Sequence, residues 1–204
     1  MRATLAPVRA ALLALSVLAG FTALPAMGQT LHGITFGEPI PAGLPQPDDT
    51  QTQAPFTRSI WTQLNDMMVT VIADSETGGV LFMEMRPAAP GPVATQIDGL
   101  VFGETTLAEL HARFGSEGVV FANVGRGGVF DDILVHFATY EIDNSDTVLS
   151  LATTEPLQTA TQDSAAQAVL DSVIVADSAY LTQVWGLNRG RLPGYSPIAD
   201  PFDG

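Results

Sequence analysis

The chain has 204 residues, no cysteine and no lysine, and sets 22 Asp and Glu against eight Arg for a formal charge of −14. Composition excludes disulfide staples, thiol catalysis and lysine Schiff bases, and leaves only three histidines for a zinc site. Acidity of this degree also excludes nucleic acid and anionic lipid surfaces as partners, because both are gathered by clustered Lys and Arg.

Arg2 and Arg9 give a basic start, Ala10 to Leu24 is an uncharged apolar run, and Ala26-Met27-Gly28 places small residues before a cut at Gln29. This pattern predicts a secretory signal peptide over residues 1–28 and a periplasmic or secreted location. The apolar run is shorter than the ~20 residues a spanning helix needs, and no later stretch is long and apolar enough to cross a bilayer. The remaining residues must fold by packing alone.

The segment Gly33-Ile34-Thr35-Phe36-Gly37-Glu38 returns sixty-six positions later as Gly99-Leu100-Val101-Phe102-Gly103-Glu104, with a fainter copy at Gly186-Leu187-Asn188-Arg189-Gly190. Self-similarity at a fixed long period marks a duplicated structural unit. The expected division is a first repeat with a Pro-rich arm over 29–98, a second repeat over 99–185, and a truncated third motif with a C-terminal arm over 186–204. The expected fold is α+β: two divergent repeats of antiparallel β-meander with one or two short helices.

Pro39 to Pro55 holds five prolines, which disfavour helix and predict an extended or turn-rich arm. Strands are expected at Thr57 to Leu64, Met67 to Ala73 and Val80 to Arg86, joined by polar connections suited to hairpins. With Asn65-Asp66 as a two-residue loop, Ile60, Thr62, Leu64, Met67, Val69, Val71 and Ala73 share a core face. The other face then carries Ser59, Trp61, Gln63, Met68, Thr70, Ile72 and Asp74.

In the second unit, Thr106 followed by Glu109 is a capping box and Gly115 stands where a C-terminal cap belongs, so Thr106 to Phe114 reads as a short amphipathic helix. Strands follow at Gly118 to Val124, Asp132 to Ile142 and Thr147 to Thr153, with Gly125-Arg126-Gly127-Gly128 as a connection. The sixty-six-residue shift sets Ile133, Val135 and Phe137 on the core face beside Met67, Val69 and Val71. It leaves Leu134, His136, Ala138 and Tyr140 on the second face. Asp163 can cap a helix over Ser164 to Leu170, Ser172 to Ala176 reads as a strand, and Thr182 to Leu187 resembles the entry to the earlier copies. An extended C-terminal arm should pack back over a sheet or reach a neighbouring molecule.

The second unit, with Gly99 to Gly103, the helix ending at Gly115 and then antiparallel strands, resembles the helix-plus-sheet module shared by β-lactamase inhibitory proteins and outer-membrane assembly lipoproteins of the SmpA/BamE type. The resemblance covers about a third of the chain. It implies a scaffold used to bind proteins. The first unit departs from it by replacing the helix with a Pro-rich arm, and the cysteines of both families are missing.

His32, His111 and His136 show no H-x-x-x-H or H-E-x-x-H spacing, and no G-x-S-x-G elbow occurs. The reading is therefore a non-enzymatic binding or protein-interaction module of the cell envelope without a cofactor. Trp61, Met68, Ile72, His136 and Tyr140 are its candidate binding residues, because large amphipathic groups on the mixed face suit a protein partner. The competing expectation is that helices or arms cover that face as a second core layer. Calcium at Asp131-Asp132 or Asp143-Asn144-Ser145-Asp146 and a small ligand stay open, as does a hydrolase using His136.

Overall fold

Asn65 and Asp66 both take positive φ, 50° and 62°, as a tight two-residue hairpin turn requires. Around such turns the chain builds its sheet. A computed structural model describes residues 29–202, so the expected leader lies outside the described residues. Strands β1 (Thr30–Leu31) and β2 (Ile34–Thr35) form a small hairpin. They are followed by β3 (Asp49–Gln53), β4 (Phe56–Leu64), β5 (Met67–Asp74) and β6 (Val80–Pro87). A second small pair, β7 (Val93–Ala94) and β8 (Val101–Phe102), precedes helix α1 (Leu107–Phe114). Next come β9 (Val119–Phe121), β10 (Gly127–Phe130), β11 (Ile133–Glu141), β12 (Thr147–Pro156) and β13 (Val169–Asp177). Helix α2 (Ser178–Trp185) and β14 (Arg189–Arg191) complete the described chain.

Ten strands make one antiparallel sheet in the order β14-β9-β11-β12-β13-β6-β5-β4-β3, with β10 paired to β11 off this path. The β4–β6 and β11–β13 meanders meet where β13 pairs with β6. This is an α+β fold, mostly antiparallel sheet with two helices.

On one side of the sheet Val69, Val71, Met83, Met85, Leu149, Leu151, Val173 and Val175 form the main core under Leu110 of α1, Phe102 of β8 and Ile198 of the C-terminal arm. On the other side Phe82, Val148, Ile174 and Ala176 pack against Tyr180 and Leu181 of α2. The arm folds back as expected: Ile198 bridges Ile142, and Gln29 Nε2 donates to Asp200 Oδ2 at 2.7 Å.

The helix over Leu107–Phe114 has the capping box between Thr106 and Glu109 and the left-handed Gly115 cap that the sequence announces. Other expectations need correction. The register slips between Trp61 and Leu64, so Trp61 rather than Thr62 stands opposite Val69. Asp48 holds this bulge, accepting from Thr62 N and Oγ1, each at 2.6 Å, and drawing Thr62 off the ladder. The Pro-rich arm thus enters the sheet as β3 and pins the neighbouring strand.

In β11 the inward set is Ala138 and Tyr140, which join the core of Val69 and Val71, whereas Ile133, Val135 and Phe137 lie on the opposite face. The sixty-six-residue shift therefore puts β11 out of phase with β5. Gly127 and Gly128 are part of β10 and not merely a connection. The helix expected over Ser164 to Leu170 is a single 3-10 turn, Ala165–Gln167. Leu170 is drawn into β13, where Leu170 N donates to Thr105 O and Gly103 N donates to Leu170 O, each at 2.8 Å. Thr182 to Trp185, read as a third copy, belongs to α2, capped by Asp177, whose carboxylate accepts from Tyr180 N at 2.7 Å.

Candidate functional site

The bulge in β4 decides what the sheet turns away from its main core. Arg58 stands opposite Ile72 and Ile60 opposite Thr70; on the next strand Met68 stands opposite Arg86, Thr70 opposite Glu84 and Ile72 opposite Phe82. Directly opposed residues share a face, so these side chains form one surface. Its Ile72 and Phe82 end lies against α2 and Tyr180. Farther out, Ile60 and Met68 belong to neither apolar cluster and stand beside half-buried Thr70 and Glu84.

Burial pushes the Glu84 carboxyl above its ordinary value, an effect that Arg86, a bond from Ser172 and Arg58 oppose and Asp171 reinforces. Neither Arg58 nor Arg86 forms an ion pair among the described residues. Arg86 instead donates from Nε and Nη2 to Met68 Sδ at 3.2 and 3.1 Å. A cleft of about 390 Å³ opens beside it, between Met68, the loop at 87–91, Gly103 and Asp171. The surface thus offers apolar groups, two guanidinium groups and one carboxyl with an elevated proton affinity.

The five expected binding residues do not share one face. Trp61 is 3 % exposed and Tyr140 is fully buried, both in the main core. Trp61 Nε1 donates to Pro45 O at 2.8 Å, and Tyr140 Oη donates to Ser116 O at 3.2 Å. Both polar handles are therefore used internally, and burial pushes the Tyr140 hydroxyl pKa up. Met68 does lie on the outer surface, whereas Ile72 shares its face but packs under α2. Ile60, expected on the core face, stands opposite Thr70 on the outer one because of the β4 register; Arg58, Glu84 and Arg86 escaped the sequence reading, although Glu84 and Arg86 alternating with Met83 and Met85 mark a strand with one face toward water.

His136 stands opposite Thr153, on the main-core side of the sheet beyond Ala138. Its Nε2 is 2.8 Å from Glu155 Oε1, while Ser164 Oγ donates to Glu155 Oε2 at 2.5 Å. The Ser164 bond, with the His136 bond added, holds the Glu155 carboxyl below its usual range against the opposing effect of burial. A hydrolytic triad needs the hydroxyl on the imidazole, with the carboxylate on the far ring nitrogen. Here the carboxylate stands between the two, and the cluster fastens β11 and β12 to the 3-10 turn. His32 and His111 are held below the usual imidazole range chiefly by burial.

The two acidic segments serve as turns. Asp131, at φ 53°, joins β10 to β11, and Asn144, at φ 55°, donates from Nδ2 to Asp143 Oδ2 at 3.0 Å. Among the described residues no cluster of three or more His, Asp or Glu converges to hold a metal.

No family model and no curated protein matches the chain. Among solved structures, a cysteine-rich secretory protein from Staphylococcus aureus is similar with a TM-score of 0.39 and 13% identity, over 72% of this chain and 48% of that one. The chain spans less than half the length of that protein.

Proposed function

We propose that the protein is an exported, periplasmic or secreted, non-enzymatic interaction module that binds a protein partner through the outer face of β4, β5 and β6. The observation that carries this reading is the half-buried surface of Ile60, Met68, Thr70 and Glu84 flanked by Arg58 and Arg86. Apolar groups ringed by arginine and carboxylate suit a protein surface, where Arg and Met are enriched. In an otherwise acidic chain, two arginines that form no ion pair among the described residues favour a partner carrying local negative charge.

The two meanders are read as products of one duplication, over 29–98 and 99–185. The recurring Gly-x-x-Phe-Gly-Glu entry and the meeting of third strand with third strand support that reading. The exported location rests on the leader-like residues 1–28.

Affinity capture from the extracellular or periplasmic fraction, with the parent and an Arg58→Glu, Arg86→Glu variant side by side, tests the proposal. One protein recovered in stoichiometric amount by the parent and lost by the variant supports it. Equal recovery by both refutes the assigned face.

A further inference from the structure

We propose that the free edge of β10 is a self-association surface at which a second copy of this chain adds its own β10, antiparallel, across a two-fold axis at Val129. Three features of the strand point there, and none belongs to the outer face of β4–β6.

The first is an open edge. β10 pairs with β11 on one side, Gly127 opposite His136 and Phe130 opposite Ile133, and has no second neighbour among the described residues. Phe137 N donates to Arg126 O at 2.9 Å. Bonded positions alternate along an antiparallel pair, so Arg126, Gly128 and Phe130 turn their backbone groups toward β11, and Gly127 and Val129 turn theirs outward.

The second is lack of protection. Edge strands are ordinarily blunted by charge, proline or a bulge. The sheet's outer strands follow that rule, with Asp49 heading the wholly exposed and polar β3 and two arginines on β14. β10 carries two glycines followed by Val129 and Phe130, 56% and 60% exposed, with Ile133 beside them at 41%. Large apolar side chains on an unpaired edge mark a contact surface.

The third is self-complementarity. A two-fold normal to the sheet at Val129 sets Val129 opposite its own copy and Gly128 opposite Phe130 of the second copy, so that the two Phe130 rings, each lying over its own Gly128, come side by side. Just beyond the paired residues, Arg126 of each copy comes to the Asp131-Asp132 turn of the other, and the symmetry repeats the contact. Arg126 is already in contact with Glu117 and remains largely exposed, so its guanidinium bridges two carboxylates in the dimer. Opposite charges facing each other across strands are favourable, and like charges are not.

Sedimentation velocity over a range of concentrations, on the protein in the form its cells accumulate, gives the first readout: a monomer–dimer equilibrium is expected. Since the chain has no cysteine, Val129→Cys supplies its sole thiol. Mild oxidation should link Val129→Cys into a covalent dimer, as facing strand positions lie within disulfide reach, while Thr52→Cys on β3 should stay unlinked. Arg126→Asp or Asp132→Arg alone should raise the dimer dissociation constant about tenfold, and the two together should restore it. That reciprocal rescue separates a lost contact from a misfolded variant. A monomer at every concentration, equal linking of the two cysteine variants, or a dimer indifferent to both charge reversals overturns the proposal.

Discussion

Trp61 donates its indole N–H to the carbonyl of Pro45 at 2.8 Å, tying the Pro-rich segment to the face of the sheet beneath it. Trp61→Ala should cost about 3–5 kcal/mol in stability, and Trp61→Phe, which keeps much of the packing and loses the bond, about 1–2 kcal/mol. Denaturant midpoints measure both. Capture of a partner by the folded fraction should be unchanged, since Trp61 faces the core.

The Asp48 carboxylate holds the β4 bulge, and its bonds from Thr62 depress its pKa. A depressed carboxyl stabilises its partners above its ordinary value and releases them as pH falls through the lower folded value. The protection factor of the Thr62 amide, taken against the intrinsic exchange rate at each pH, should therefore be high near neutral pH and fall in acid. In Asp48→Ala protection should be missing at both extremes.

Glu84 behaves in the opposite sense. Its folded pKa is raised from 4.5, so its burden is absent below that ordinary value and grows as pH rises through the raised one. Glu84→Gln should stabilise the protein near neutral pH, and parent and variant should converge in acid. Thermal melts of both proteins from pH 4 to 8 check the crossing; parallel curves would refute it.

Gly118 sits at φ 81°, and a Cβ there would fall 2.0 Å from Thr139 O. Backbone cannot yield as a side-chain end can. Gly118→Ala should destabilise the protein by about 3 kcal/mol or more, combining left-handed strain with overlap. Gly115→Ala, at φ 71° with open space around the added atom, should cost only about 1 kcal/mol.

The helix over Leu107–Phe114 was legible because its start and stop are written within ten residues, and the meanders because alternation and two-residue turns are local signals. The phase of β4 was not legible, since Asp48 creates the bulge from fourteen positions away. Extending the sixty-six-residue spacing into β11 fails for a related reason: the recurring entry motif keeps its spacing, but α1, β9 and β10 intervene before the second meander. Helix α2 carries a readable Asp177 cap, but the likeness of Thr182 to Leu187 to the repeat entry points away from it. For the site, Met68 and Ile72 followed from alternation, whereas Trp61 and Tyr140 were misplaced with the phase of their strands.

The clasp of Gln29 on Asp200 joins positions 171 residues apart. Topologically the polypeptide is close to a closed ring. Anything attached ahead of Gln29 and anything attached behind Phe202 would leave from neighbouring points of the surface, so a fusion at either end should hang the sheet in similar orientation. A circular permutant sewn across this clasp and reopened in the largely exposed 160–163 segment would retain every strand pairing, with its new ends between the 3-10 turns at Leu157–Thr159 and Ala165–Gln167.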